Sequence, residues 1–176
     1  ALICVLGLTA CGGAKEVPAD VIDEFLTLAD AMYVQGPQVP GVYPYSKERN
    51  MHVGGSKGSI SGNYAMDECD LIIALGTRGV CQWDSSGTAF KKAKKMININ
   101  CDYDDLGQYG NSVRIQGDVE AVLRKLNGLL KEAGAKEVDP EWLKECTAKK
   151  AEWEAFCKAR FELPGIFDEK QQKVLV

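Results

Sequence analysis

Nucleophilic or acid–base catalysis needs a nucleophile within hydrogen-bond reach of a base, and this sequence offers few such pairs. Its single histidine, His52, has no cysteine or carboxylate at metal-ligand spacing. Cys81 and Cys101 fall near expected strand ends, but without a histidine base nearby they read as core residues. Asp102, Asp104 and Asp105 stand at the head of a short helix, where carboxylates cap backbone amides rather than exchange protons. No catalytic residue and no metal site is therefore expected from this chain alone.

Phosphate recognition is better provided for. Glycine lets a backbone come close to a pyrophosphate, and helix N-termini present unpaired amides with partial positive charge. The expected strand ends carry Gly7-Leu8-Thr9-Ala10, Gly76-Thr77-Arg78, Asn100-Cys101-Asp102 and Gly117-Asp118. Arg78 has the donor geometry for a bidentate phosphate contact, and Asp102 or Asp118 would accept from ribose or adenine. No G-x-G-x-x-G follows the first strand, and Gly7-x-x-x-x-Gly12-Gly13 lacks the lysine and hydroxyl of a P-loop. The plainer alternative stays open: the glycines serve tight turns, and Arg78 pairs with a nearby carboxylate.

These residues need a frame that brings strand ends together. The chain opens, without methionine, directly on strand-like Leu2-Ile3-Cys4-Val5-Leu6, so it is expected to be cut from a longer parent. Pro18 and Asp20 introduce an amphipathic helix whose apolar positions are Val21, Ile22, Phe25, Leu26, Leu28 and Ala29. Gln38 to Tyr45 reads as a short strand and loop. Asn50 to Gly62, rich in glycine and serine, reads as a flexible linker or as an ordered loop with its amides facing a ligand. Ser61 is the expected cap of a helix from Gly62 to Cys69. Asp70 to Leu75 is a continuous apolar run bounded by Gly76, as in a strand buried on both faces. A short helix from Ser86 to Lys94, a strand from Lys95 to Asn100, a strand from Ser112 to Gln116 and a helix from Val119 to Glu132 follow. Alternating strands and helices indicate an α/β fold, a Rossmann-like parallel sheet of five or six strands with helices on both faces.

The pattern divides the chain into a domain over residues 1–134 and a helical linker over 135–176. Asp139-Pro140-Glu141 starts the linker helix, with Asp139 as cap. Trp142 and Trp153 on it require cover, from this domain or from a neighbour.

Composition narrows the function classes. A chain of 176 residues with 45% hydrophobic and 26% charged residues is one soluble domain rather than two. Net charge is −4 and the basic residues are dispersed, apart from Lys91-Lys92-Ala93-Lys94-Lys95, which reads as a solvated helix end. Nucleic acid is therefore not an expected partner. No apolar run is long enough to span a bilayer. Leu8-Thr9-Ala10-Cys11 has the form of a lipoprotein cleavage site but lacks a charged region ahead of it, and reads as the turn after the first strand. Seven cysteines without a C-x-x-C pair argue against a disulfide framework or zinc site and place the chain in a reducing cytoplasm.

Gly55-Ser56-Lys57-Gly58-Ser59, Asn63-Tyr64-Ala65 and Glu68-Cys69-Asp70-Leu71-Ile72-Ile73-Ala74-Leu75-Gly76-Thr77-Arg78, followed by Ile97-Asn98-Ile99-Asn100-Cys101-Asp102 and Gly117-Asp118-Val119-Glu120-Ala121-Val122-Leu123, carry a resemblance over residues 1–130. The sequence resembles the middle domain of thiamine-diphosphate enzymes of the acetolactate-synthase-like group, and Gly76-Thr77-Arg78 is similar to the trihydroxycyclohexane-dione hydrolase branch. The resemblance implies a six-stranded, deoxyhypusine-synthase-like sheet between two outer domains that hold thiamine diphosphate and Mg2+. It implies an architectural role and, in some members, an FAD or ADP site. Gly76, Thr77 and Arg78 would then meet the nucleotide phosphates, and Asn100, Asp102 and Asp118 its ribose or adenine side. The parent would act on 2-oxo acids or cyclic diketones as a homodimer or homotetramer. Two alternatives of other classes remain at this point: a free-standing FAD-, NAD- or ADP-binding module, and a domain that dimerises through the tryptophan-bearing helix.

Overall fold

The structure is a computed structural model and describes residues 3–6, 17–36, 41–77, 90–107, 112–134, 139–162, 166–167 and 173–174. Leu8 to Cys11, Gly12, Gly13, Gln38, Arg78 and Cys81 lie outside the described residues.

Six strands form one sheet: β1 (Ile3–Leu6), β2 (Ala31–Gln35), β3 (Asn50–Val53), β4 (Leu71–Leu75), β5 (Lys95–Asn100) and β6 (Ser112–Gln116), in the order β3-β2-β1-β4-β5-β6. Every neighbouring pair is parallel. The order reverses between β1 and β4, the topological switch point at which open α/β sheets leave a crevice beyond their carboxyl ends. The helices are α1 (Ala19–Leu28), α2 (Ile60–Glu68), the single-turn α3 (Tyr103–Leu106), α4 (Val119–Glu132) and α5 (Pro140–Glu162). A separate antiparallel pair, β7 (Ile166–Phe167) and β8 (Lys173–Val174), follows.

Strand alternation divides the core in two. Ala31 and Tyr33 of β2, Ile73 and Leu75 of β4 and Ile99 of β5 face α1 and α4, where Ile22, Leu26 and Leu123 meet them. Met32, Val34, Met51, Ile72 and Met96 face the other way, onto Ala65 and Met66 of α2 and Trp142 and Cys146 of α5. Helices therefore cover both faces, as the α/β pattern requires. Asn127, buried in α4, donates to the Val21 carbonyl (3.2 Å) and to Glu24 (2.8 Å), tying α4 to α1 with hydrogen bonds inside an apolar seam.

Several local expectations are corrected. The second strand is Ala31–Gln35 and not a segment of Gln38 to Tyr45, whose described part, from Gly41, is a turn. The chain leaves α1 through Ala29 and Asp30, the latter at φ 49°, with neither glycine nor proline to mark the break. Asn50 to Val53, assigned from sequence to the glycine-rich loop, is strand β3. Ser59 caps α2 in place of Ser61, accepting from the Gly62 amide at 2.9 Å. Phe90 to Lys94 is turn and coil, so the lysine run is not a helix end; Lys92 pairs with Glu68 and the Lys94 amide bonds the Asp70 carbonyl at 2.7 Å. Cys101 is disulfide-bonded, against the expectation of reduced cysteines, while Cys69, Cys146 and Cys157 are free. Sequence spacing does not reveal which cysteines the loops bring within bonding distance.

Candidate functional site

The carboxyl edge of the sheet has two halves of different build. On the β4-β5-β6 side the hydrogen-bond ladder runs on for one more amide. Gly76, at φ 54°, turns its amide onto the Ile99 carbonyl (2.8 Å), and the Gly117 amide bonds the Asn100 carbonyl (3.0 Å). A positive φ is strained for a side-chain-bearing residue, which accounts for glycine at position 76. Both glycine amides are thus spent on the ladder, and the contribution of Gly76 to a ligand would be close approach, not donation.

Asn100 is buried at the end of β5, and its Oδ1 accepts from the Asp102 amide at 3.1 Å. That turn presents Asp102, whose Oδ1 accepts from the Asp104 amide (3.0 Å) and caps α3. Asp118 caps α4 in the same way, accepting from Ala121 at 2.9 Å. Both carboxylates are exposed, so each keeps an edge for a hydroxyl or amino donor. The negative charge of Asp102, Asp104, Asp105 and Asp118 disfavours phosphate over β5 and β6 and suits ribose or adenine donors there. The structure brings Gly76, Thr77, Asn100, Asp102 and Asp118 to one edge on three adjacent strands, each about 4.8 Å from the next; Arg78 lies outside the described residues.

The β2-β3 half is closed. The glycine-rich segment is an ordered loop, but its amides turn inward. Gly54 donates to the Gln35 carbonyl, Gly55 to Asn63 Oδ1, Gly58 to the Gly55 carbonyl and Ser59 to the Val53 carbonyl, all between 2.7 and 3.2 Å. A Cβ on Gly62 would lie 2.4 Å from the Val53 carbonyl oxygen, and one on Gly58 2.7 Å from the Gly54 carbonyl carbon. These glycines let α2 seat against the end of β3. The expectation that the loop's amides face a ligand is therefore corrected for these four.

A polar cluster that sequence reading missed closes the same half. His52, at φ 66°, stacks on Tyr45 (centroids 5.1 Å apart, 18° between planes) and lies 3.4 Å from Ser61 Oγ and 4.0 Å from a Glu154 carboxylate oxygen. Tyr45 in turn receives a hydrogen bond from Gln35 Nε2 at 2.7 Å. Lys150 of α5 donates to the Tyr45 and Lys47 carbonyls, each at 2.7 Å, and is buried. Burial, and then the Lys150 charge, hold the His52 imidazole below its ordinary value near 6.5, with Glu154 opposing. A lone histidine and one lysine in a charged helix carry no distinguishing signal in sequence; only the left-handed backbone at His52 and the close of α5 onto the 45–47 turn join them.

Among the described residues there is no group of three or more histidine, cysteine or acidic side chains placed to hold a metal ion, and no helix long and apolar enough to cross a membrane.

Comparison with known proteins agrees with the fold. Residues 9–126 match the family "Thiamine pyrophosphate enzyme, central domain". The chain is 28% identical to an acetolactate synthase of Arabidopsis thaliana over 120 residues, covering 68% of this chain and 18% of that protein. It is 32% identical over 145 residues to the 3D-(3,5/4)-trihydroxycyclohexane-1,2-dione hydrolase of Listeria innocua, covering 77% of this chain and 22% of that one. A Mycobacterium bovis acetolactate synthase is 32% identical over 92 residues, 52% of this chain and 15% of its own. The chain thus spans about a fifth of the length of the curated relatives it matches. With its parallel sheet in the order β3-β2-β1-β4-β5-β6 and a family match over most of its length, the chain belongs to the central-domain family of thiamine pyrophosphate enzymes.

Proposed function

We propose that the chain is the scaffold domain of a larger thiamine-diphosphate enzyme acting on 2-oxo acids or cyclic diketones, and that the carboxyl ends of β4, β5 and β6 take the ADP portion of a nucleotide. The cofactor's thiazolium chemistry would be supplied by flanking domains, since the chain matches only the central domain of such enzymes and spans about a fifth of its relatives' length. Within this chain, Gly76, Thr77 and Arg78 would hold the phosphates, and Asn100, Asp102 and Asp118 would orient the nucleoside.

The observation that carries the nucleotide assignment is the split edge. Among the described residues the ends of β5 and β6 carry exposed carboxylates, Asp102 and Asp118, on the β4 side of the β1/β4 switch point, whereas at β2-β3 the loop has consumed its own amides. A ligand in an open α/β sheet lies at such a reversal of strand order. The acidic caps at β5 and β6 suit the hydroxyl and amino donors of a nucleoside, and exclude a second phosphate from that end.

Isothermal titration of the 176-residue chain with ADP and with FAD is expected to give micromolar binding that Arg78→Ala abolishes. Absence of binding by both nucleotides would remove the nucleotide part and leave the scaffold part. Supplied with thiamine diphosphate, Mg2+ and pyruvate or a cyclic dione, the chain is expected to turn over neither. Turnover by the chain alone would overturn the scaffold reading.

A further inference from the structure

Helix α5 is built as one continuous seam with only half of it covered. Trp142, Cys146, Lys149, Trp153, Phe156 and Arg160 follow one another in alternating steps of four and three residues, the spacing that keeps side chains on one face of a helix. The first half of that face packs on α2. Trp142 is 1% exposed and stacks on Tyr64 (6.4 Å between centroids), Cys146 shares its core with Cys69, and Lys149 lies over the Tyr64 ring at 5.7 Å. Tyr64 also donates to Glu145 at 2.8 Å.

The second half has no such partner among the described residues. The buried positions of α5 end at Lys150. Trp153 and Phe156 stack on each other (5.6 Å), Arg160 lies over the Phe156 ring at 4.9 Å, and Phe156 and Phe161 are 43% and 71% exposed. The direction of the helix shows where this half lies. The Asp139 amide is bonded to Asp30, just before β2, and Glu154 reaches His52 near the end of β3. The eight residues after Glu154 therefore project about 12 Å past the carboxyl edge of the sheet. Phenylalanine on this end lacks the burial that Trp142 and Cys146 obtain on the same stripe.

We propose that the Trp153–Phe156–Arg160 face is a docking surface for a flanking domain of the same polypeptide, which continues the seam that α2 begins. The occupant presents an apolar surface to Trp153 and Phe156 and a carboxylate to Arg160. The proposal rests on the scaffold reading given above. It is favoured by the continuity of the seam with the packed α2–α5 contact, and by the chain's span of about a fifth of its relatives' length. A second copy of the chain is the competing occupant.

The test compares backbone hydrogen exchange in the 176-residue chain and in the polypeptide encoded by the whole uninterrupted reading frame around it. Amides 155–162 are expected to exchange at least tenfold more slowly in the longer polypeptide, with that protection lost in Trp153→Ser/Phe156→Ser while the sheet stays protected. Equal exchange in both polypeptides overturns the proposal, leaving the scaffold reading intact. Protection already present in the short chain, with a dimeric mass in ultracentrifugation that the double variant halves, assigns the face to a second copy and also overturns it. A reading frame that encodes no further domain would instead overturn the scaffold reading, and is recognised from the nucleotide sequence before any exchange is measured.

Discussion

The two halves of the carboxyl edge use similar residues for opposite ends. At β2-β3, Gly54, Gly55, Gly58 and Gly62 allow a backbone to fold onto itself, and Ser59, Tyr45, His52 and Lys150 fill what space remains. At β4-β6, Gly76 and Gly117 merely prolong the ladder, and the carboxylates beyond them are exposed. In sequence both segments are candidates, the first as an ordered loop with its amides facing a ligand and the second as glycine-bearing strand ends beside a crevice. The hydrogen-bond accounting leaves neither set of glycine amides for a phosphate: those of Gly54, Gly55 and Gly58 are paired around their own loop, and those of Gly76 and Gly117 with the neighbouring strand.

The contrast can be broken by substitution, and the largest effect is expected in the closed half. Gly62→Ala places a Cβ 2.4 Å from the Val53 carbonyl oxygen, so α2 must move off β3, at a cost of about 1–3 kcal/mol or more in chemical denaturation. Next is Lys150→Met, which leaves the Tyr45 and Lys47 carbonyls without their buried donor and should cost about 1–3 kcal/mol. In the open half, Asp118→Ala removes the cap of α4, for about 1 kcal/mol. Asp102→Ala, which caps only the single turn α3, should change stability by a few tenths of a kcal/mol. A larger loss from Asp102→Ala than from Lys150→Met would mean that the open half is a packing device as well.

A smaller, pH-dependent difference sharpens the same contrast. His52 is the chain's only histidine, and its folded-state value is held below the ordinary 6.5. As pH falls from 6.5 towards that lowered value, the unfolded chain takes up a proton that the folded chain resists, so stability declines through this window. Above 6.5 the contribution is fully present. His52→Asn keeps a residue tolerant of the left-handed backbone and is expected to remove this component of the slope in melting temperature against pH. An unchanged slope would show that the imidazole is not held neutral by its burial.

How much of this was legible depended on whether a physical break coincides with a residue type. β4, β5, β6 and α4 could be read because the apolar run of β4 ends at Gly76, because β5 and β6 alternate apolar and polar residues, and because Asp118 is an ordinary cap. β2 was missed because Ala31-Met32-Tyr33-Val34 continues the apolar character of α1, and the turn between them is made by Asp30 in a left-handed conformation. β3 was missed because Asn50-Met51-His52-Val53 is short, polar at alternate positions and irregular in register where it meets β2. The cap of α2 was displaced by two residues because Ser59 and Ser61 are chemically equal, and only Ser59 has the extended backbone that a cap requires. The candidate site was legible as a set of strand ends. What sequence could not supply was the count of amides already paired, or that α5 doubles back to the β3 end, where Lys150 and Glu154 meet residues about a hundred positions earlier.

The most direct test of the central claim is an amide chemical-shift titration of the 176-residue chain with ADP. The account predicts shifts concentrated at Gly76, Thr77, Asn100, Asp102 and Asp118, with the amides of Gly54, Gly55, Gly58 and Ser59 unmoved. Shifts centred on Gly54 to Ser59, or none at saturating ADP, would contradict it.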